Sequence, residues 1–124
     1  MAELHEIERQ GIAAVTEYLL KAGRTVEPSN RKTFDLTVDR IPAEVKCKRM
    51  PWSKLDFVGF TDNQRRALDQ GEQFLLFVVC NLIDPTAPEI IEIKSQTLRA
   101  ATFKVESTHY IYGKELKELA AMNR

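Results

Sequence analysis

The fifteen residues Thr33-Phe34-Asp35-Leu36-Thr37-Val38-Asp39-Arg40-Ile41-Pro42-Ala43-Glu44-Val45-Lys46-Cys47 constrain the fold more than any other stretch of this chain. Polar and apolar side chains alternate with period two on both sides of Asp39-Arg40, the pattern of two strands joined by a tight turn. With the turn there, Val38 opposes Ile41, Leu36 opposes Ala43 and Phe34 opposes Val45. Cys47 then extends one unbroken apolar face. A slip of one residue would turn every side chain to the wrong side, so this register is strongly specified. The opposite face carries Asp35 directly across from Glu44, with Lys46 two residues further along the same strand.

Like charges directly opposed on a strand pair repel one another. A divalent cation is the usual physical reason to hold two carboxylates so close. Oxygen ligands of this kind suit Mg²⁺ or Mn²⁺, which keep several waters and accept phosphate oxygens. A lysine beside such an ion can steer or deprotonate an attacking water and stabilise charge developing on phosphorus. The chemistry indicated is metal-assisted hydrolysis of a phosphodiester. Glu44-Val45-Lys46 alone would not carry it, since Glu-x-Lys is common on solvated strand faces and short motifs recur by chance. Asp35 in register, above a clean apolar face, supplies the weight.

At 124 residues the chain is expected to form one domain with a core that needs no disulfide or metal staple. The longest apolar run, Phe74 to Cys80, suits a buried strand and falls far short of a membrane span, so no membrane partner is expected. The segment Met1 to Gln10 is charged and lacks the apolar stretch of a secretory signal. Cys47 and Cys80 have no metal-ligand spacing and read as free thiols in a reducing, cytoplasmic setting. The net charge is zero, which argues against a diffuse nucleic-acid binder, yet residues 21–54 hold nine basic and four acidic side chains. Arg31, Lys32, Arg40, Lys48, Arg49 and Lys54 would form a local basic rim able to attract phosphates, although a charge run is also the mark of a solvated face.

Glu3 to Ala22 reads as an amphipathic helix with Leu4, Ile7, Gly11, Ala14, Val15, Tyr18 and Ala22 on one stripe and Gly23 as a stop. A short strand over Arg24–Glu27 and a Pro28-Ser29-Asn30 turn lead into the hairpin of residues 33–38 and 41–48. A loop from Met50 to Thr61 follows, then a helix over Asp62–Gln70 and a central strand over Phe74–Ile83. Asp84-Pro85-Thr86-Ala87-Pro88 is a connecting loop. Strands over Glu89–Lys94 and His109–Tyr112 and helices over Gln96–Ala101 and Lys114–Met122 complete the pattern. This order implies an α/β sandwich, a mixed sheet with helices on its flanks. Its core would draw on Val15, Leu19, Leu36, Val45, Leu68, Leu75, Phe77, Val79 and Ile91.

Helix, hairpin with Asp…Glu-x-Lys, then a helix with a leading Gln: the chain here resembles the PD-(D/E)xK nuclease superfamily. Within it the chain is most similar to small resolvase-like members, including archaeal Holliday-junction resolvases. The residues carrying the resemblance are Gly11 through Gly23, Asn30-Arg31, Phe34-Asp35-Leu36, Glu44-Val45-Lys46 with Arg49, and Gln64 in Thr61-Asp62-Asn63-Gln64-Arg65-Arg66-Ala67-Leu68. It spans roughly residues 6–82.

The resemblance implies a restriction-endonuclease-like α/β/α sandwich with a central mixed sheet flanked by helices. It implies that Asp35 and Glu44 ligate Mg²⁺ or Mn²⁺, with the Val45 carbonyl as a further oxygen. Lys46 would activate the water, and Gln64 would support the site or touch substrate. Many members add a glutamate on the first helix near Gly11-Ile12. This chain has none there, and Glu8, one turn earlier, is the best substitute, with Glu6 the alternative. Phe34 stands where the family's name places a proline.

Gln64 has a second reading, because Thr61-x-x-Gln64 is a capping box. Arg65 and Arg66 sit at a helix start, where the dipole disfavours cations, which points to phosphate contact. With Arg31, Lys32, Lys48 and Arg49 they make up the expected nucleic-acid surface. Trp52, in a polar loop, could stack on a base or cover the edge of a core. His5 and His109 lack metal-ligand spacing, and no nucleotide-binding or serine-hydrolase motif is present.

The expected function is therefore a Mg²⁺-dependent endonuclease on branched or duplex DNA, selective for structure or targeted by a partner, with RNA as the alternative polymer. A homodimer is compatible with paired cuts. The competing reading is a non-catalytic relative that keeps the fold to bind nucleic acid or protein.

Overall fold

The computed structural model describes residues 2–84, 86–105 and 109–122. Pro85 of the expected connecting loop and the Leu4 side chain of the helix stripe lie outside that description. The chain runs through α1 (Ala2–Lys21), β1 (Val26–Pro28), β2 (Leu36–Val38), β3 (Ile41–Cys47), a 3₁₀ turn at Trp52–Lys54, β4 (Phe57–Phe60) and α2 (Asp62–Asp69). It continues with β5 (Leu75–Cys80), β6 (Glu89–Lys94), α3 (Ser95–Leu98), β7 (Lys104–Val105), β8 (His109–Tyr112) and α4 (Gly113–Met122).

The hairpin forms in the expected register, with Leu36 against Ala43 and Val38 against Ile41. Asp39 and Arg40 both adopt left-handed backbone, at φ of 51° and 69°, the signature of a two-residue turn matched to strand twist. The Asp39 carboxylate steadies it by accepting from the Thr25 amide at 2.9 Å and from Arg24 Nε at 2.8 Å.

One residue before β2 the pairing departs from simple alternation. The Asp35 amide donates to the Ala43 carbonyl at 3.0 Å, although Leu36 already stands opposite Ala43. Two residues against one make a β-bulge, which re-aims the side chains on either side of it. Phe34 consequently does not extend the apolar face of Leu36 and Val38. It turns to the other side of the sheet and packs on Phe74, with ring centroids 5.2 Å apart.

The strands β1-β2-β3-β5-β6 form a mixed five-stranded sheet in that order, with β5 parallel to β3 and antiparallel to β6. Every residue of β5 is buried, as its continuous apolar run requires of a strand covered on both faces. On one face Gly11, Val15 and Leu19 of α1 meet the sheet; Val15 and Leu19 pack on Leu36, Val38, Ala43, Val45, Leu75, Phe77 and Val79. Leu19 takes the place expected of Tyr18 and Ala22, which are exposed. Positions 11, 15 and 19 hold a straighter four-residue spacing.

The second face carries Leu76, Val78 and Cys80 and is covered by α2, α3, α4 and a second, three-stranded sheet ordered β4-β8-β7. That small sheet lies outside the expected flanks of helices alone, and β4 falls inside the stretch predicted as a loop. Trp52 is half-buried and packs against this second core. Of the nine expected core residues all are buried except Ile91, which is half-buried. Among the described residues no helix is long and apolar enough to cross a membrane.

Candidate active site

Strand β3 points Ala43 and Val45 under α1, so Glu44 and Lys46 share the opposite side. Glu44 is 7% exposed, a buried carboxylate on a sheet face that is otherwise core. Lys46 Nζ lies 2.9 Å from Glu44 Oε2 and also sits over the Phe60 ring at 5.4 Å. The bulge brings Asp35 beside them, where its Oδ2 accepts from the Val45 amide at 2.9 Å. Burial pushes the Glu44 carboxyl up to about 7. Lys46 opposes that rise, while the charge of Asp35 and a hydrogen bond to it add to the rise. The strained like-charge pair expected from the hairpin is thus present, through a bulge in place of direct opposition.

Gln64 holds two roles at once. Thr61 Oγ1 accepts from the Gln64 amide at 3.2 Å, and Gln64 Oε1 accepts from the Thr61 amide at 3.1 Å, closing the capping box at the start of α2. The same Oε1 accepts from Lys46 Nζ at 3.1 Å. Gln64 Nε2 donates to the Thr33 carbonyl at 3.0 Å. One side chain therefore ties the helix start, the site lysine and the strand entering the bulge. Its 4% exposure makes the arrangement rigid, since a buried amide left unbonded is costly.

These groups open into a cleft of about 270 Å³ lined by Glu8, Asp35, Glu44, Val45, Lys46, Lys48 and Gly59, among others. A roomier hollow of about 510 Å³ lies against α1, between Tyr18, Leu82 and Ile90, and carries no converging carboxylates. Gly11 marks a close crossing of α1 over β3. A Cβ there would stand 2.2 Å from the Cys47 sulfur, so no side chain fits where α1 crosses β3. Glu8, one turn earlier, lines the cleft from an exposed position, whereas Glu6 pairs with Arg9 and Gln10 along the helix. Burial, reinforced by Asp35, Glu8 and Glu44, pushes the Cys47 thiol up to about 12, so it stays protonated and is no nucleophile. Cys47 and Cys80 are both free thiols, as expected.

No family model, curated protein or solved structure matches the chain. Among the described residues no three His, Cys, Asp or Glu side chains converge as a ready-made cage. A pair of carboxylates is nevertheless a sufficient anchor for Mg²⁺, which retains much of its water. A cation there would relieve the repulsion between Asp35 and Glu44, so the donor set fits one.

The expected nucleic-acid surface is mostly engaged within the protein. Arg31 pairs with Glu72 and lies over Phe34 at 4.9 Å. Arg65 pairs with Asp69 at 3.3 Å and covers Phe103 at 3.8 Å, and Arg66 donates to Asn63 at 2.9 Å. Lys32 and Arg49 are exposed, apart from the residues that line the cleft. Of the six expected cations, Lys48 lines the cleft; it bonds Asp56 at 3.1 Å and sits 4.1 Å above the Phe57 ring. Phe57 and Gly59 are site neighbours within the stretch expected as a loop. The alternation Phe57-Val58-Gly59-Phe60, with Val58 and Phe60 buried, was the signal available for them.

Proposed function

We propose that this protein is a metal-dependent nuclease of restriction-endonuclease-like fold, hydrolysing phosphodiester bonds in DNA. The observation that carries the reading is the meeting of Asp35, Glu44 and Lys46 in one cleft, with Glu44 held near neutrality in its proton affinity. A structural ion pair alone would need no second carboxylate beside Glu44. The order of helix, bulged hairpin and Gln-led helix, around a mixed sheet, supports the same reading.

Asp35 and Glu44 would hold Mg²⁺ or Mn²⁺, and Glu8 and Val45 line the same cleft. The ion would supply Lewis acidity toward a phosphoryl oxygen and a more acidic bound water. Glu44 must lose its proton to bind it. Lys46, released from Glu44, keeps its hydrogen bond to Gln64 Oε1 and so stays aimed into the cleft. From there Nζ can orient a water and meet negative charge building on phosphorus. The recognised feature would be nucleic-acid structure, or a site chosen by a partner.

The test is a titration of Mg²⁺ and Mn²⁺ into the wild type and an Asp35→Asn/Glu44→Gln variant, following thermal stability and cleavage of branched and linear DNA and of RNA. The wild type should gain roughly 3 kcal/mol at a hundredfold excess of ion over its Kd, and cut. The double variant should do neither. Lys46→Ala should keep the metal response and lose about a hundredfold or more in rate. An unchanged metal response in the double variant would overturn the site, and binding without cleavage would return the chain to the class of non-catalytic modules.

A further inference from the structure

The second sheet turns one face to the core and the other to solvent. Val58, Phe60 and Ile111 point inward. Register places Phe57 opposite Tyr112, Gly59 opposite Tyr110 and Lys104 opposite Tyr110, so these residues share the outer face. Phe57 is 41% exposed and Tyr112 53%. Their rings form a continuous row, with Phe57 to Tyr110 at 5.7 Å and Tyr110 to Tyr112 at 5.3 Å, each pair edge to face. A protein that needed these rings only for stability would bury them, since each offers a large apolar area.

The row does not stand alone. Lys48 lies over Phe57 and also lines the cleft of Asp35, Glu44 and Lys46; Gly59 lines that cleft as well. Having no side chain, Gly59 leaves an open step between the cleft and Tyr110. Lys48 lies over the ring at the cleft end, and Lys104 stands across from the middle ring, Tyr110, on the outer strand. Exposed aromatic faces interleaved with lysines are the physical requirements for holding an unpaired strand, because every base has a stacking face and every linkage a negative charge.

We propose that Phe57, Tyr110 and Tyr112 form a stacking platform for unpaired bases, leading a single-stranded segment of nucleic acid into the cleft. The proposal rests on the nuclease reading and deepens it. The substrate would be single-stranded, or a duplex carrying a flap or overhang, with the scissile phosphate at the junction of platform and cleft. Lys48 bridges the two; on exchanging its ion pair with Asp56 for a phosphate it would neutralise the linkage next to the first stacked base. A second copy of this chain, or another protein, is the competing occupant of such a face. It is disfavoured by the lysines that flank the rings and by the continuity with a phosphate-cutting cleft.

The experiment measures binding of labelled single-stranded, overhang and blunt duplex oligomers, in DNA and RNA forms, to the full chain in EDTA. Wild type should bind the single-stranded and overhang forms more tightly than the blunt duplex. Phe57→Ala and Tyr112→Ala should each weaken that binding about fivefold or more while leaving the blunt duplex unaffected. Phe57→Trp should restore it. A 2-aminopurine base in the strand should lose fluorescence on wild-type binding, which checks stacking without any variant.

Equal affinity for all forms, with no change in either alanine variant, would overturn the platform. Self-association lost in Phe57→Ala, without nucleic-acid binding, would overturn it in favour of a second copy. Cleavage with Mg²⁺ separates the two readings. Cutting of blunt and overhang substrates alike, untouched by Phe57→Ala, overturns the platform and leaves the nuclease standing. Ring-dependent binding without cutting supports the platform and removes the nuclease.

Discussion

Strand β3 has two faces that obey different rules. Ala43 and Val45 lie under α1 in a dry core, where every neighbour is apolar. Glu44, buried, and Lys46, half-buried, alternate with them and face each other at 2.9 Å. The first face stabilises the fold through area removed from water. The second does the opposite in the absence of a ligand, because a carboxylate is held near another carboxylate and away from solvent. Both faces belong to one seven-residue strand, so any strain on the second is carried by the first.

The largest effect should come from breaking the apolar side. Phe77 stands beside Val45 in register and is fully buried, so Phe77→Ala should lower stability by about 3–5 kcal/mol in denaturant unfolding. A loss below about 1 kcal/mol would mean that this core is not the support of β3.

Glu44→Gln should act in the other direction. The folded protein holds the Glu44 proton up to about pH 7, against 4.5 for the ordinary group. The folded state therefore binds more protons than the unfolded state between those values, and stability falls as pH rises through that window. Without divalent ions the glutamine variant should exceed wild type by on the order of 2–3 kcal/mol above pH 7, less what Lys46 loses as its partner. The gain should vanish near pH 4. A pH-independent difference would show that the carboxylate pair is not strained.

Gln64→Ala should have a smaller effect, about 1–2 kcal/mol, from the lost cap and the unbonded Lys46 and Thr33 groups. Thr61→Ala, which breaks the cap alone, should cost less. Equal losses would mean that Gln64 does nothing for the polar face.

The difference between the faces also explains what the sequence could convey. The hairpin register was legible because Leu36, Val38, Ala43 and Ile41 must meet one core. The bulge at Asp35 was not, because both sides of the sheet are apolar, and Phe34 satisfies the pattern whichever core it enters. Glu44, Lys46 and Gln64 were legible as polar residues in register with apolar ones. The second sheet was hidden by the shortness of β4 and β7 and by Gly59, which breaks the alternation with a missing side chain. The pairing of the expected nucleic-acid surface was the least legible, since Arg31 and Arg65 find partners, Glu72 and Asp69, that charge counting does not reveal.

The connectivity of the second sheet sets an order of assembly. β4 lies within the crossover from β3 to β5, yet the partner it pairs with, β8, is encoded near the end of the described chain. Closing so long a loop is entropically slower than zipping the hairpin at Asp39-Arg40. As the chain is made, the carboxylates and Lys46 emerge on an early hairpin, while the rim of their cleft at Val58 and Gly59 stays unpaired. The wall beside the reactive groups is thus a late product of folding, raised only after the strands that bear the charges are in place.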